Sequence, residues 1–156
     1  MFQDILIIFL WSASPFGEGK VAIPYGIENM ELPISLVFII GLAGNLLVFP
    51  LFYKAIEFSN KHLWKNPLYR KSAVYFSVRA RTKTKNVIQK YGVWGLMIFV
   101  MIPIPVTGAY IGTIAAYVFR ISYQKALIAI SCGITLSSII VIFVWPWFWP
   151  LVKSLF

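Results

Sequence analysis

Apolar positions in this 156-residue chain come in long charge-free blocks separated by short polar breaks. The first block, residues 5–17, is uncharged but too short to cross a bilayer, which takes about 20 apolar residues in a helix. The polar tip Glu18-Gly19-Lys20 follows, then a second short apolar arm, residues 21–27, closed by Glu28-Asn29-Met30-Glu31. Two short apolar arms around a glycine-rich, charged tip predict a re-entrant helical hairpin. Residues 33–53 carry no charge and have the length of one spanning helix. Gly41 and Gly44 lie three apart there, with Asn45 beside them, and simple close packing of helices accounts for all three.

The second half repeats this plan. Residues 91–119 hold no charge over 29 positions and are interrupted by Pro103, Pro105 and Gly108. Two prolines two apart remove two backbone donors and clash with the preceding turn. Broken backbone at membrane depth is tolerated where it is buried in protein or lines a cavity. A second hairpin is therefore expected over 91–119, with one kinked span as the alternative. Residues 126–145 again suit one spanning helix, and Trp145-Pro146-Trp147-Phe148-Trp149-Pro150 has the composition of an interfacial aromatic belt. Between the halves, residues 54–90 carry aromatic and apolar residues at irregular intervals among many cations. This predicts short amphipathic helices at the headgroup level.

Composition agrees with a membrane protein: 60% of residues are apolar and only 12% are charged, about half the soluble norm of roughly 25%. Charge favours one orientation. Ten of the 14 cations fall in 54–90. If 91–119 is a hairpin, Arg120 and Lys125 share that side, which places it in the cytoplasm and both termini outside the cell. A basic protein also raises the question of nucleic acid, but a basic block between charge-free apolar runs reads as a membrane-surface loop. The predicted fold is thus all-α and multi-pass in the plasma membrane. Its single membrane domain, 1–156, divides into a first repeat (1–53), a basic segment (54–90), a second repeat (91–145) and an aromatic tail (146–156). At an offset of 89, Gly19 matches Gly108, Gly44 matches Gly133, and Glu31 and Arg120 both fall at a hairpin-to-helix turn. Inverted repeats with broken helices are a recurring transporter design. The lone Cys132 lies in an apolar run and is expected as a small buried packing residue.

The tip residues carry a family resemblance. The run Phe16-Gly17-Glu18-Gly19-Lys20-Val21-Ala22-Ile23-Pro24-Tyr25-Gly26 resembles the Glu-x-Arg-x-x-Ile-Pro signature of the small multidrug export family. Lys90-Tyr91-Gly92 and the run from Pro103 to Tyr110 resemble its second block, usually written Pro-x-Pro-Gly-Thr-Gly-Ala-Trp. That family looks like a compact relative of the DedA superfamily, so the resemblance implies two facing re-entrant hairpins and transport of lipids or lipophilic compounds. Lys20 stands where Arg is usual, which keeps the charge and loses the bidentate fork. Val106 replaces Gly and Tyr110 replaces Trp.

Glu18 and Lys20 are the sharpest candidates, because a charge at membrane depth costs roughly 2.5–3.5 kcal/mol on insertion scales. Either they line a pathway or they neutralise each other as a structural pair. Helices are expected to start near Gly19 and Gly108, the second with Thr107 as N-cap. Two converging helix N-termini plus Lys20 would bind an anion such as a phosphate headgroup. The expected substrate-binding set is Glu18, Gly19, Lys20, Pro24, Pro103, Pro105, Thr107, Gly108, Tyr110 and Arg120, with Glu18 also carrying a coupled proton. Three functions follow: a transporter of an amphiphile with an anionic head, a proton-coupled exporter of lipophilic cations, or a membrane scaffold. An enzyme is the weakest reading, since no Ser/His/Asp set, metal cluster or second acid accompanies Glu18. No cofactor or metal is expected. The expected partners are membrane lipids, the amphiphilic substrate and further copies of the chain, as a homodimer or larger oligomer.

Overall fold

The computed structural model describes residues 1–103 and 108–153, with side chains through Trp147. Its six helices are α1 (Phe2–Ala13), α2 (Glu18–Asn29), α3 (Ile34–Leu63), α4 (Pro67–Met101), α5 (Ala109–Val118) and α6 (Tyr123–Lys153), and the described residues include no strand. Two of them, Ile34–Leu63 and Tyr123–Trp147, are long and apolar enough to cross a membrane.

The turn between α1 and α2 is built by Ser14. Its hydroxyl donates to the Trp11 carbonyl at 2.9 Å and accepts from the Gly17 amide at 2.9 Å. This ends α1 and starts α2 within four residues, and the two short helices pack on each other and on α3. The second half is also broken into shorter helical pieces. Gly92 sits at φ 58°, ψ −128° and kinks α4, which packs on α5 and α6 and buries Ala80 and Ile88 before the kink as well as Leu96 and Val100 beyond it. The run 91–119 is therefore two helical pieces that pack against each other, broken after Met101 and resumed at Ala109.

Glycine allows the spanning helices to approach the short ones. A Cβ on Gly44 would come 2.7 Å from the Phe9 carbonyl oxygen of α1, and one on Gly133 would come 2.8 Å from the Met97 carbonyl oxygen of α4. A larger core forms around Phe49, Leu96, Ile130 and Ile134, and a smaller one around Ile8, Ile23 and Val37. An aromatic cluster pins α3 to the α5–α6 turn: Tyr53 meets Tyr117 at 5.8 Å and Tyr123 at 5.1 Å. The outer faces of α1, α3 and α6 expose Leu10, Ile39, Leu47, Leu51, Ile128 and Phe143, an apolar coat suited to lipid.

Three expectations change. The basic segment is not a set of separate short helices: α3 continues to Leu63, a tight turn follows, and α4 starts at Pro67, capped by the Asn66 side chain. Polar and charged residues do not end a helix by themselves, and Lys, Arg and Gln are good helix formers. α6 runs through Pro146 and Pro150 to Lys153 rather than stopping at the aromatic tail. Cys132 is exposed, not buried, because in a bilayer an apolar run has an outward face as well.

Candidate functional site

Glu18 opens α2 in a left-handed conformation, φ 45°, which costs a non-glycine residue roughly 1–3 kcal/mol. The conformation sends its side chain inward, where it is fully buried (0% exposed), with Lys20 nearly so (7%). The two charges pair at 3.7 Å. Lys20 also donates to the Ile102 carbonyl at 3.0 Å. Ile102 caps the end of α4, so this bond ties the start of α2 to the break after α4. A reciprocal tie runs the other way, from the Tyr110 hydroxyl of α5 to the Ala13 carbonyl that ends α1. Tyr110 is held there by an edge-on contact with Phe52, with ring centroids 4.9 Å apart.

The Glu18 carboxylate faces the backbone amides of Gly108, Ala109 and Tyr110 at the start of α5. None of these contacts has good hydrogen-bond geometry, so among the described residues both oxygens lack a hydrogen-bond partner. Gly108 is what lets α5 approach: a Cβ there would lie 2.5 Å from Glu18 Oε2 and 2.7 Å from Lys20 Nζ. The N-cap of α5 falls on Gly108 and makes no side-chain cap bond, which corrects the expectation of a cap at Thr107. The expected anion site at this helix N-terminus is thus occupied by the protein's own carboxylate.

Lys20, Pro24 and Pro103 line a cavity of about 540 Å³ whose walls are otherwise largely apolar. The cavity reaches Trp11, Tyr25, Glu28 and Trp145. Trp145 donates from its indole nitrogen to Glu28 at 3.3 Å, and the Trp11 and Tyr25 rings stand 4.7 Å apart. Glu18 is not on the cavity wall. Pro24 also lacks the N–H that the Lys20 carbonyl would otherwise receive four residues on.

The fold therefore gathers Glu18, Gly19, Lys20, Pro24, Pro103, Gly108 and Tyr110. Arg120 is not brought to them; it lines a different cavity, beside the far end of α3 and the basic arm of α4. Pro105 and Thr107 lie outside the described residues. Two further residues belong to the neighbourhood. A Cβ on Gly19 would come 3.1 Å from Asn45 Nδ2 and 3.4 Å from Ser138 Oγ. Both side chains are buried, and Asn45 Oδ1 and Ser138 Oγ have no partner among the described residues. Reading the sequence assigned Asn45 to packing and passed over Ser138. Their signal was a polar side chain inside an apolar run.

Residues 18–140 match the model of the family described as "Putative small multi-drug export protein". The chain belongs to that family. The match starts at Glu18 and takes in the pair, the break between α4 and α5 and the Asn45–Ser138 neighbourhood. The small multi-drug export family is described by transport across a membrane rather than by a chemical reaction, which agrees with the apolar, all-helical chain. No curated protein and no solved structure matches the chain.

Proposed function

We propose that this protein exports an amphiphile with an anionic, phosphate-like headgroup through the cleft where its two broken hairpins meet. Glu18 acts there as a tethered anion that holds the site when no substrate is bound. The observation that carries this reading is the seat of the Glu18 carboxylate. It lies between the Lys20 ammonium and the first amides of α5, the donors that an anionic head would use. Lys20 lines the apolar cavity and Glu18 does not, so a ligand entering there meets a positive charge and an apolar wall for its tail. Protonation of Glu18 removes the resident anion and leaves those donors to the ligand. Binding of an anionic head is thereby coupled to proton uptake.

The same reading takes each half as a re-entrant hairpin followed by a spanning helix, the two inserted in opposite senses, a DedA-like arrangement. Several observations support it. The spanning helices start at residues 34 and 123, the offset of 89 read from the glycines. Gly44 and Gly133 make equivalent close contacts. Arg120 lies beside the basic arm, whereas a single span over 91–119 would carry it to the opposite side. Twelve of the 14 cations then share one face, ten in 54–90 plus Arg120 and Lys125, and that face is cytoplasmic. The chain works as a homodimer or larger assembly in this reading, since Phe16 beside the first tip is 81% exposed.

A second reading rests on the other end of the cavity. Glu28 with Trp11, Tyr25 and Trp145 offers an acid and aromatic faces, groups that suit a lipophilic cation. Flipping of a fluorescent phosphatidylglycerol in reconstituted vesicles separates the two. The anionic reading expects acid-stimulated transport that is lost in Lys20→Ala. Transport of a lipophilic cation that survives Lys20→Ala and fails in Glu28→Gln would replace it.

A further inference from the structure

A second cavity, also about 540 Å³, opens between α3 and the basic arm of α4. α3 contributes Phe52, Ile56 and Ser59 to it, and α4 contributes Tyr69, Ala73 and Phe76. Both triplets have the same helical spacing, four then three residues, so one stripe of each helix faces the gap. Two consecutive helices joined by a short turn normally close such a seam by packing. Here they scarcely touch, although the Tyr69 hydroxyl donates to Asn60 Oδ1 at 2.7 Å near the turn. The result is a wedge, pinned at its closed end and largely apolar along its sides, with Ser72 and Ser77 among its lining.

The wedge sits where charge begins on both chain segments that reach it. Lys54 is the first charge after the uncharged stretch 33–53, and Arg120 is the first after 91–119. Arg120 lines the wedge, and no acid pairs with it among the described residues. Its backbone is the other observation. Arg120 holds φ 53° at the end of α5, where its amide donates to the Tyr117 carbonyl and the next amide, of Ile121, to the Ala116 carbonyl. This is a left-handed helix cap, a position that glycine fills without strain. Capping therefore explains the conformation but not the arginine.

We infer that the wedge is a binding site for an anionic phospholipid, one acyl chain lying between α3 and α4 and the phosphate resting on Arg120. A largely apolar slot, ending at the boundary between uncharged and cationic segments in a guanidinium with no acid partner among the described residues, matches the two parts of such a lipid. Arg suits the phosphate because its planar fork donates two parallel hydrogen bonds. The bound lipid would brace the arm against the bundle in place of missing helix packing. This site is independent of the export site: it shares no lining residue with the cavity at Lys20.

Native mass spectrometry of the purified full-length chain tests it, with phosphatidylglycerol and phosphatidylcholine of identical acyl chains as probes. At pH 7.5, where Glu18 fills the export site, wild type should retain phosphatidylglycerol over phosphatidylcholine by about tenfold, the scale of one good charged contact. Arg120→Gln and Arg120→Gly should abolish that preference, and Ala73→Trp should exclude both lipids by filling the wedge. Arg120→Gly should also keep the melting temperature, since glycine favours the cap. Equal retention of the two lipids by wild type would overturn the proposal, as would retention undiminished by Ala73→Trp. A fall in melting temperature in Arg120→Gly would assign Arg120 to the fold instead. Cross-linking of wedge cysteines between two chains would give the site to a second copy.

Discussion

At the scale of single residues, Glu18 combines a left-handed backbone, complete burial and a single counter-charge 3.7 Å away. An uncompensated charge left by removing one partner of a buried pair costs roughly 3–5 kcal/mol. Lys20→Ala should therefore lower the melting temperature in detergent clearly, whereas Glu18→Gln, which keeps the shape, should lower it less and should bind anionic amphiphiles more tightly. If both variants unfold alike and neither changes binding, the pair is structural only. Gly108→Ala places a methyl against both charged groups and should cost about 1–3 kcal/mol, as overpacking does; thermal unfolding read by circular dichroism checks it. The pair itself was legible in the sequence because charge is rare in an apolar chain. Asn45 and Ser138 were not, since a lone polar residue in an apolar run looks the same whether it packs or faces a site. Nor did spacing alone reveal that Glu18 would sit against the start of α5 beside Lys20.

At the scale of elements, the fold depends on where helices are allowed to stop. Ser14 ends α1 through its hydroxyl, and the kink in α4 falls on Gly92 at φ 58°. Nothing lies within 4 Å of a Cβ built on Gly92, so Gly92→Ala is a pure test of backbone strain. It should destabilise the chain by roughly 1–3 kcal/mol, against Gly92→Ser as a like-sized control with the same penalty; an unchanged melting temperature would mean that the kink relaxes. The interruption of 91–119 was legible in its two prolines, which cannot sit inside an undisturbed helix. The extent of α3 and α4 was not. Their polar ends are held partly by packing: Ala80, Thr84 and Ile88 of α4 are buried, a one-sided stripe too sparse among ten cations to stand out in the sequence.

At the scale of the whole molecule, the two halves meet at their tips through reciprocal bonds, Lys20 to Ile102 and Tyr110 to Ala13. Opening the cleft requires both to break, so loss of either should make the site easier to reach: Tyr110→Phe should raise the rate at which a cysteine placed at residue 24 reacts with a soluble maleimide, in a Cys132→Ser background. The inverted arrangement proposed above makes a further prediction. Single cysteines at residues 2 and 147 should label from outside intact cells and one at residue 65 only after permeabilisation; labelling of residues 2 and 147 from opposite sides would contradict it. The most direct test of the export site is equilibrium binding of a long-chain alkyl sulfonate, whose charge does not change with pH, compared with the matching alkyltrimethylammonium. In wild type the sulfonate should bind about tenfold tighter near pH 5.5 than near pH 7.5, independently of pH in Glu18→Gln, and hardly at all in Lys20→Ala. Preferential binding of the ammonium compound, lost in Glu28→Gln and indifferent to Lys20→Ala, would contradict the anionic site and make this protein an exporter of cations.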